Sequence, residues 1–242
     1  MSNLVLFGDS FCAEYESTAN KNTWWKQVAN QKNMCIKNYA VRGSSLNYSI
    51  VRYYEYLNTE YSPEDNIIFI VTSSARSPIV HKDFPPECAA ILQMFHMQGF
   101  KFEQRNLPPS LVKHFTDNRS FYEIWYRFYN LDQHLSQVSL VREALNGLSN
   151  KKLLINAFDE ATNREFSRKY DFHLDGDMNN ISVSEFVTHF DYIRSRDRLI
   201  DDRANHLSED NHSIFSDYII KSLDGNHRSM LDVDFKRGFI NA

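Results

Sequence analysis

Two residues of the kinds that make a nucleophile and its base stand near opposite ends of the chain. Ser10 comes three residues after the apolar run Leu4 to Phe7, and His206 lies in a polar stretch before the last apolar-periodic segment. A serine hydroxyl is a poor nucleophile until an adjacent imidazole takes its proton, and the imidazole works better when an acceptor holds its other nitrogen. Taken singly, each has an ordinary explanation: Gly8, Asp9 and Ser10 all favour turns, and a histidine ahead of a helix is commonly a surface or capping residue. What raises Ser10 above a turn residue is its setting. Gly8 can take backbone angles that other residues avoid, and a serine just past a strand end stands where open α/β sheets place their ligands and reacting groups.

The elements that must position these two residues alternate strand and helix. Asn3 to Phe7 reads as a short buried strand, followed by a helix around Trp24 to Gln31 and a strand at Met34 to Asn38. The chain then turns at Gly43 and enters a helix near Ser45, with Ile50, Tyr54 and Leu57 spaced for one face. Ile67 to Val71 is continuously apolar, as a strand buried on both faces should be, and Leu153 to Phe158 is a fourth such run. Strands separated by helices predict a three-layer α/β/α sandwich with a mostly parallel central sheet, in one domain over residues 1–242.

Two segments fall outside that rhythm. Ser77 to Ser120 carries Pro85-Pro86 and Pro108-Pro109, which excludes one long helix and reads as an insertion after the third strand. Leaving the carboxyl edge of the sheet, it is expected to wall the substrate site, with Phe95, His96 and Phe100 as contacts; a solubilising excursion or oligomer contact is the alternative. A long helix is expected from Phe121 to about Leu148, with Ile124, Phe128, Leu131, Leu135, Val138, Val141 or Arg142, Leu145 and Leu148 forming a stripe. Three to four heptads favour packing on the chain's own sheet over a homo-oligomer seam, and Phe121, Tyr122, Trp125, Tyr126 and Tyr129 are read as core or rim.

Composition excludes several classes. The net charge is -4, and the 27 basic residues form no dense run, so no nucleic-acid-binding surface is indicated. No apolar stretch is long enough for a membrane span, and the N-terminus shows no basic region, apolar segment and cleavage site, which leads to the expectation of a cytoplasmic protein. Cys12, Cys35 and Cys88 are odd in number and lack metal-ligand spacing, which suits free thiols; Cys12 is read as packing. The stretch from Asp175 imitates a calcium loop, yet its twelfth position is Phe186 and its sixth Asn180, so it is read as a polar turn before a helix capped by Ser182 or Ser184. Further on, Ser208 is a suitable N-cap, with Glu209 and Asp210 favourable in the first turn of a helix running to about Leu223.

Three of these pieces, "FGDS" after the first strand, "NYAVRGSS" after the second and "NHLSEDNH" before the last helix, stand in the order found in the SGNH, or GDSL-like, hydrolases. The chain resembles that family over most of residues 1–76 and 199–223, and is similar to small members in tailed-phage genomes. The resemblance implies a flavodoxin-like sheet, Ser10 as nucleophile and His206 as base and then acid. It further implies the Ser10 and Gly43 N–H groups as oxyanion donors, and Asp9 and the second histidine, His212, as neighbours on the substrate side. The implied reaction passes through an acyl-serine on a small-molecule or carbohydrate ester, with no metal or organic cofactor. The mixture of Tyr, Asn, Arg and His in the exposed-looking stretches leans towards a polar acyl ester such as an acetylated sugar.

Two departures bear on that carry-over. Where the family has Gly-x-Asn-Asp after the third strand, this chain has Thr72 to Arg76, so Ser74 or Arg76 would have to replace the asparagine donor. Where the family has an aspartate three residues before the histidine, this chain has Arg203, and Asp202 is the nearest substitute. Three forms stay open: a triad in altered register, a dyad with a backbone carbonyl orienting His206, and an inactive binding or structural module, as in a phage particle.

Overall fold

The computed structural model describes residues 2–14, 22–72, 76, 84–86, 88, 109–128, 131–156, 207 and 209–225. Four parallel strands, β1 (Asn3–Phe7), β2 (Cys35–Asn38), β3 (Asn66–Val71) and β4 (Lys152–Asn156), form one sheet in the order β2-β1-β3-β4. The helices are α1 (Trp24–Lys32), α2 (Leu46–Thr59), α3 (Pro109–Asp117), α4 (Arg119–Phe128), α5 (Leu131–Asn146) and α6 (Glu209–Leu223) among the described residues.

Side-chain alternation along the strands feeds two cores, one on each face. Leu4, Leu6, Ile68, Ile70, Leu153 and Ile155 meet Trp24, Trp25 and Val28 of α1 and Phe215, Ile219 and Leu223 of α6. On the other face Val5, Phe7, Ile67, Phe69 and Leu154 meet Tyr53 and Tyr56 of α2 and Leu135, Val138, Val141 and Leu145 of α5. Every residue of β3 is buried, the pattern of a strand covered on both faces.

Connection handedness explains which helix lies where. From β1 the chain moves to one side to reach β2, then crosses back over β1 to reach β3. Right-handed crossovers in opposite directions put α1 and α2 on opposite faces, as observed. The strand order reverses between β1 and β3, which makes the crevice outside their carboxyl ends the topological switch point.

Some expectations are corrected. The helix expected from Phe121 to Leu148 starts earlier, at Arg119, and is described as α4 and α5 on either side of 129–130, which lie outside the described residues. Leu135, Val138, Val141 and Leu145 of the stripe lie on the sheet, but Ile124 is 54% exposed, beside exposed Phe121 and Trp125, so in α4 those three side chains are not core. Within the segment read as an insertion, Cys88 is helical and α3 has Pro109 as its first described residue, one whose missing N–H costs nothing in a first turn. In α2 the buried face runs through Leu46, Ser49, Tyr53 and Tyr56, with Ile50 and Leu57 partly buried, while Tyr54 lies outside it at 45% exposure. Ser45 is the N-cap of that helix, its Oγ accepting from the Tyr48 N–H at 3.3 Å. The three cysteines are free, and Cys12 is buried with its Sγ 3.7 Å from the Phe7 carbonyl, as a packing residue should be. Among the described residues no helix is long and apolar enough to cross a membrane. The turn from Asp175 and its helix lie outside the described residues.

Candidate active site

Ser10 is 6% exposed in a loop whose backbone is pinned on nearly every side. The Gly8 carbonyl accepts from the Val41 N–H at 3.2 Å, from Ser44 Oγ at 3.2 Å and from Ser49 Oγ at 3.3 Å. The Asp9 carbonyl accepts from the N–H groups of Cys12 (3.1 Å) and Ala13 (2.9 Å), which makes the residues after Ser10 a tight helical turn. The Phe11 carbonyl accepts from Trp24 Nε1 at 2.9 Å, and the Cys12 carbonyl from Asn38 Nδ2 at 2.7 Å. Asn38 in turn accepts from the Ala40 N–H through its Oδ1. The loop after β1 is therefore stitched to the loop after β2 and to α1, and the serine between them has a fixed backbone.

Gly8 makes the stitching possible. Its φ is +146°, and a Cβ there would sit 2.9 Å from Ile70 Cβ and 3.0 Å from Cys12 Sγ and the Ile70 carbonyl oxygen. Only glycine lets β1 turn away this close to β3. Gly43 has φ +69° at the turn after β2, and no described residue engages its N–H.

The Asp9 side chain is fully buried. Its Oδ1 accepts from the Phe11 N–H at 3.1 Å, and its Oδ2 pairs with Nη1 of Arg76, whose side chain is 12% exposed. The same Nη1 donates to the Ser44 carbonyl at 3.2 Å. Arg76, which follows β3, thus reaches across the switch point to the loops after β1 and β2. Sequence reasoning offered Arg76 as an oxyanion donor and Asp9 as a substrate neighbour; the structure joins them to each other.

His212, expected on the substrate side, caps a helix. It is 3% exposed, and its Nδ1 accepts from the Trp24 N–H at 3.1 Å. Trp24 is the first residue of α1, whose N-cap Thr23 makes no side-chain cap, so a histidine of α6 supplies the acceptor that the helix start needs. At the other end of the same pair of helices, Lys32 of α1 is salt-bridged to Asp224 just after α6. The two helices therefore run side by side in the same direction, and α6 begins at the carboxyl edge of the sheet. Leu207, which follows His206 in sequence, is buried in the same core cluster as Phe11, which follows Ser10. His206, Asp202, Ser74, Phe95, His96 and Phe100 lie outside the described residues.

The chain is similar to solved structures of ester-hydrolysing proteins. One is a member of the lipolytic G-D-S-L family from Veillonella parvula, at 9% identity and TM-score 0.45, covering 89% of this chain and 94% of that one. Another is a lipase/acylhydrolase from Enterococcus faecalis, at 14% identity and TM-score 0.45, covering 96% and 100%. A third is a carbohydrate esterase described as having divergent catalytic and non-catalytic binding functions in its active site, at 10% identity and TM-score 0.47, covering 92% of this chain and 64% of that one. No protein-family profile and no curated protein matches the chain.

Among the described residues no cluster of His, Cys, Asp and Glu is placed to hold a metal ion. A cavity of about 530 Å³ lined by Asn146, Asn150, Lys151, Lys152 and Ser222 opens beside the start of β4, at the sheet edge opposite Ser10, and is separate from this site.

Proposed function

We propose that the chain is a serine hydrolase that cleaves an ester or O-acyl group through an acyl-serine intermediate. The observation that supports it best is the meeting of two remote segments at one sheet edge. The pinned loop carrying Ser10 follows β1, and α6 starts at the same edge just after the segment that contains His206. A buried, backbone-fixed serine at the sheet edge where α6 begins suits nucleophilic catalysis, because a nucleophile held still spends no binding energy on being ordered.

In this reading His206 takes the Ser10 proton as the hydroxyl attacks the acyl carbon, and returns it to the leaving alcohol. Asp202 orients the imidazole. The N–H groups of Ser10 and Gly43 bind the oxyanion of the tetrahedral intermediate, where the loss of one donor costs about 10²–10³ in rate. Ser74 is the side-chain donor in place of the family's asparagine. Water then repeats the sequence on the acyl-serine with His206 again as base. The substrate is a polar acyl ester such as an acetylated sugar, and Phe95, His96 and Phe100 contact it.

Wild type assayed beside Ser10→Ala against p-nitrophenyl esters of increasing chain length and acetylated sugars tests this. Hydrolysis of short acyl or acetyl-sugar esters, abolished in Ser10→Ala, is the expected result. Equal background rates from both proteins would leave a non-enzymatic binding module on a hydrolase-like fold, the alternative that the Thr72 to Arg76 departure favours.

A further inference from the structure

We propose that Arg76 is a positioning residue: by bridging the Asp9 carboxylate and the Ser44 carbonyl through one guanidinium nitrogen, it sets the spacing between Ser10 and the Gly43 N–H. The inference rests on the hydrolase reading above and assigns Arg76 a different task from donating to the oxyanion.

Each contact belongs to a residue adjoining a working group. Asp9 precedes Ser10, and Ser44 follows Gly43. Asp9 is committed on both oxygens, one to the Phe11 N–H and one to Arg76, so the carboxylate is a rigid post inside the β1 loop. The loop after β2 and the first turn of α2 are tied to the same place by Ser44 Oγ and Ser49 Oγ on the Gly8 carbonyl. Arg76 closes the square from the β3 side, where its 12% exposure and the full burial of Asp9 keep water from competing for the pair. A guanidinium suits this position because its charge is permanent and the two N–H bonds of Nη1 lie in one fixed plane, whereas lysine would have to bring its nitrogen to the same point on a flexible stem. Two donors converging on one oxyanion must keep their separation to a fraction of an ångström, and misplacement by about 1 Å costs about 10²-fold in rate.

The test measures three quantities on each protein: the second-order rate of fluorophosphonate labelling at Ser10, the Tm, and amide hydrogen exchange in residues 8–13 and 41–46. Arg76→Ala leaves a buried carboxylate without its counter-charge, which can unfold the chain. The informative variant is therefore Arg76→Met combined with Asp9→Asn, which removes both charges. It is expected to keep a Tm near wild type, to label about 10²-fold more slowly, and to exchange faster in both segments. Asp9→Asn alone leaves one amide oxygen for two donors, the Phe11 N–H and Arg76, and should label more slowly than wild type but faster than the double variant, and Arg76→Lys should recover part of the rate. A double variant that labels and exchanges as wild type does overturns the proposal. If wild type itself is not labelled at Ser10, the hydrolase reading falls, and exchange alone judges the tether: faster exchange in both loops of the double variant supports it, and unchanged exchange overturns it.

Discussion

Gly8 shows how narrowly the site depends on single residues. Its Cβ would lie within 3.0 Å of β3 at a backbone angle that L-residues avoid, so Gly8→Ala must push the Ser10 loop off Ile70. We expect a loss of about 1–3 kcal/mol in chemical denaturation together with loss of Ser10 reactivity. Gly147→Ala, whose Cβ would meet only ordinary contacts at 3.6 Å and beyond, should be neutral to slightly stabilising and serves as its control. At this scale the sequence showed Ser10, Gly43 and Arg76 as positions but not the pairing of Arg76 with Asp9. That pair exists because β1 and β3 are neighbours in the sheet, and residues 67 apart in sequence carry no local mark of adjacency.

At the level of elements, α1 is started by a residue from another helix. Thr23 occupies the N-cap position but leaves its buried hydroxyl without a partner, while His212 of α6 accepts from Trp24. Thr23→Val should therefore leave the Tm unchanged or raised, since it removes an unsatisfied hydroxyl at constant shape. His212→Ala should lower the Tm by the loss of a cap, about 0.5–2 kcal/mol, and more through lost packing on Trp25. The reverse order in thermal melts would mean that α1 is capped from within. Strand and helix positions were legible because periodicity is local: β3 is apolar throughout Ile67–Val71, and Ser45 precedes an apolar-periodic run. Helix faces were less so. In α2 the adjacent tyrosines Tyr53 and Tyr54 both fit the stripe, and only the packing of Tyr53 on Phe7 and Phe69 chooses between them. In α4 the same apolar pattern that marks α5 as core leaves Phe121, Ile124 and Trp125 exposed, because periodicity reveals an apolar face and not what covers it.

Across the whole molecule, the face covered by α2 carries buried tyrosines whose ionisation the fold resists. Burial and the neighbouring Glu60 carboxylate raise Tyr39 to about 12. Burial also raises Tyr53 and Tyr56, and Tyr56 is raised further by the Asp65 carboxylate to which it donates at 2.8 Å. Unfolded tyrosine ionises near 10, so above that pH the unfolded chain loses protons that the folded one retains. The stabilisation is complete below about pH 10 and is lost as pH rises through about 12. A pH series of melts should fall steeply over that window, and stopped-flow absorbance should show these phenolates appearing with unfolding. Ionisation of every tyrosine before unfolding would contradict the burial of this face.

The proposed activity stands or falls on Ser10 as a nucleophile with His206 as its base. Peptide mapping of the folded protein after fluorophosphonate treatment, run from pH 5 to 8, tests it most directly. A single adduct on Ser10 is expected, forming faster as pH rises from 5 to 8 and neutral imidazole becomes available as base, with no adduct in His206→Ala. Folded protein that gives no adduct, an adduct at another serine, or Ser10 labelling that is indifferent to both pH and His206 would contradict it.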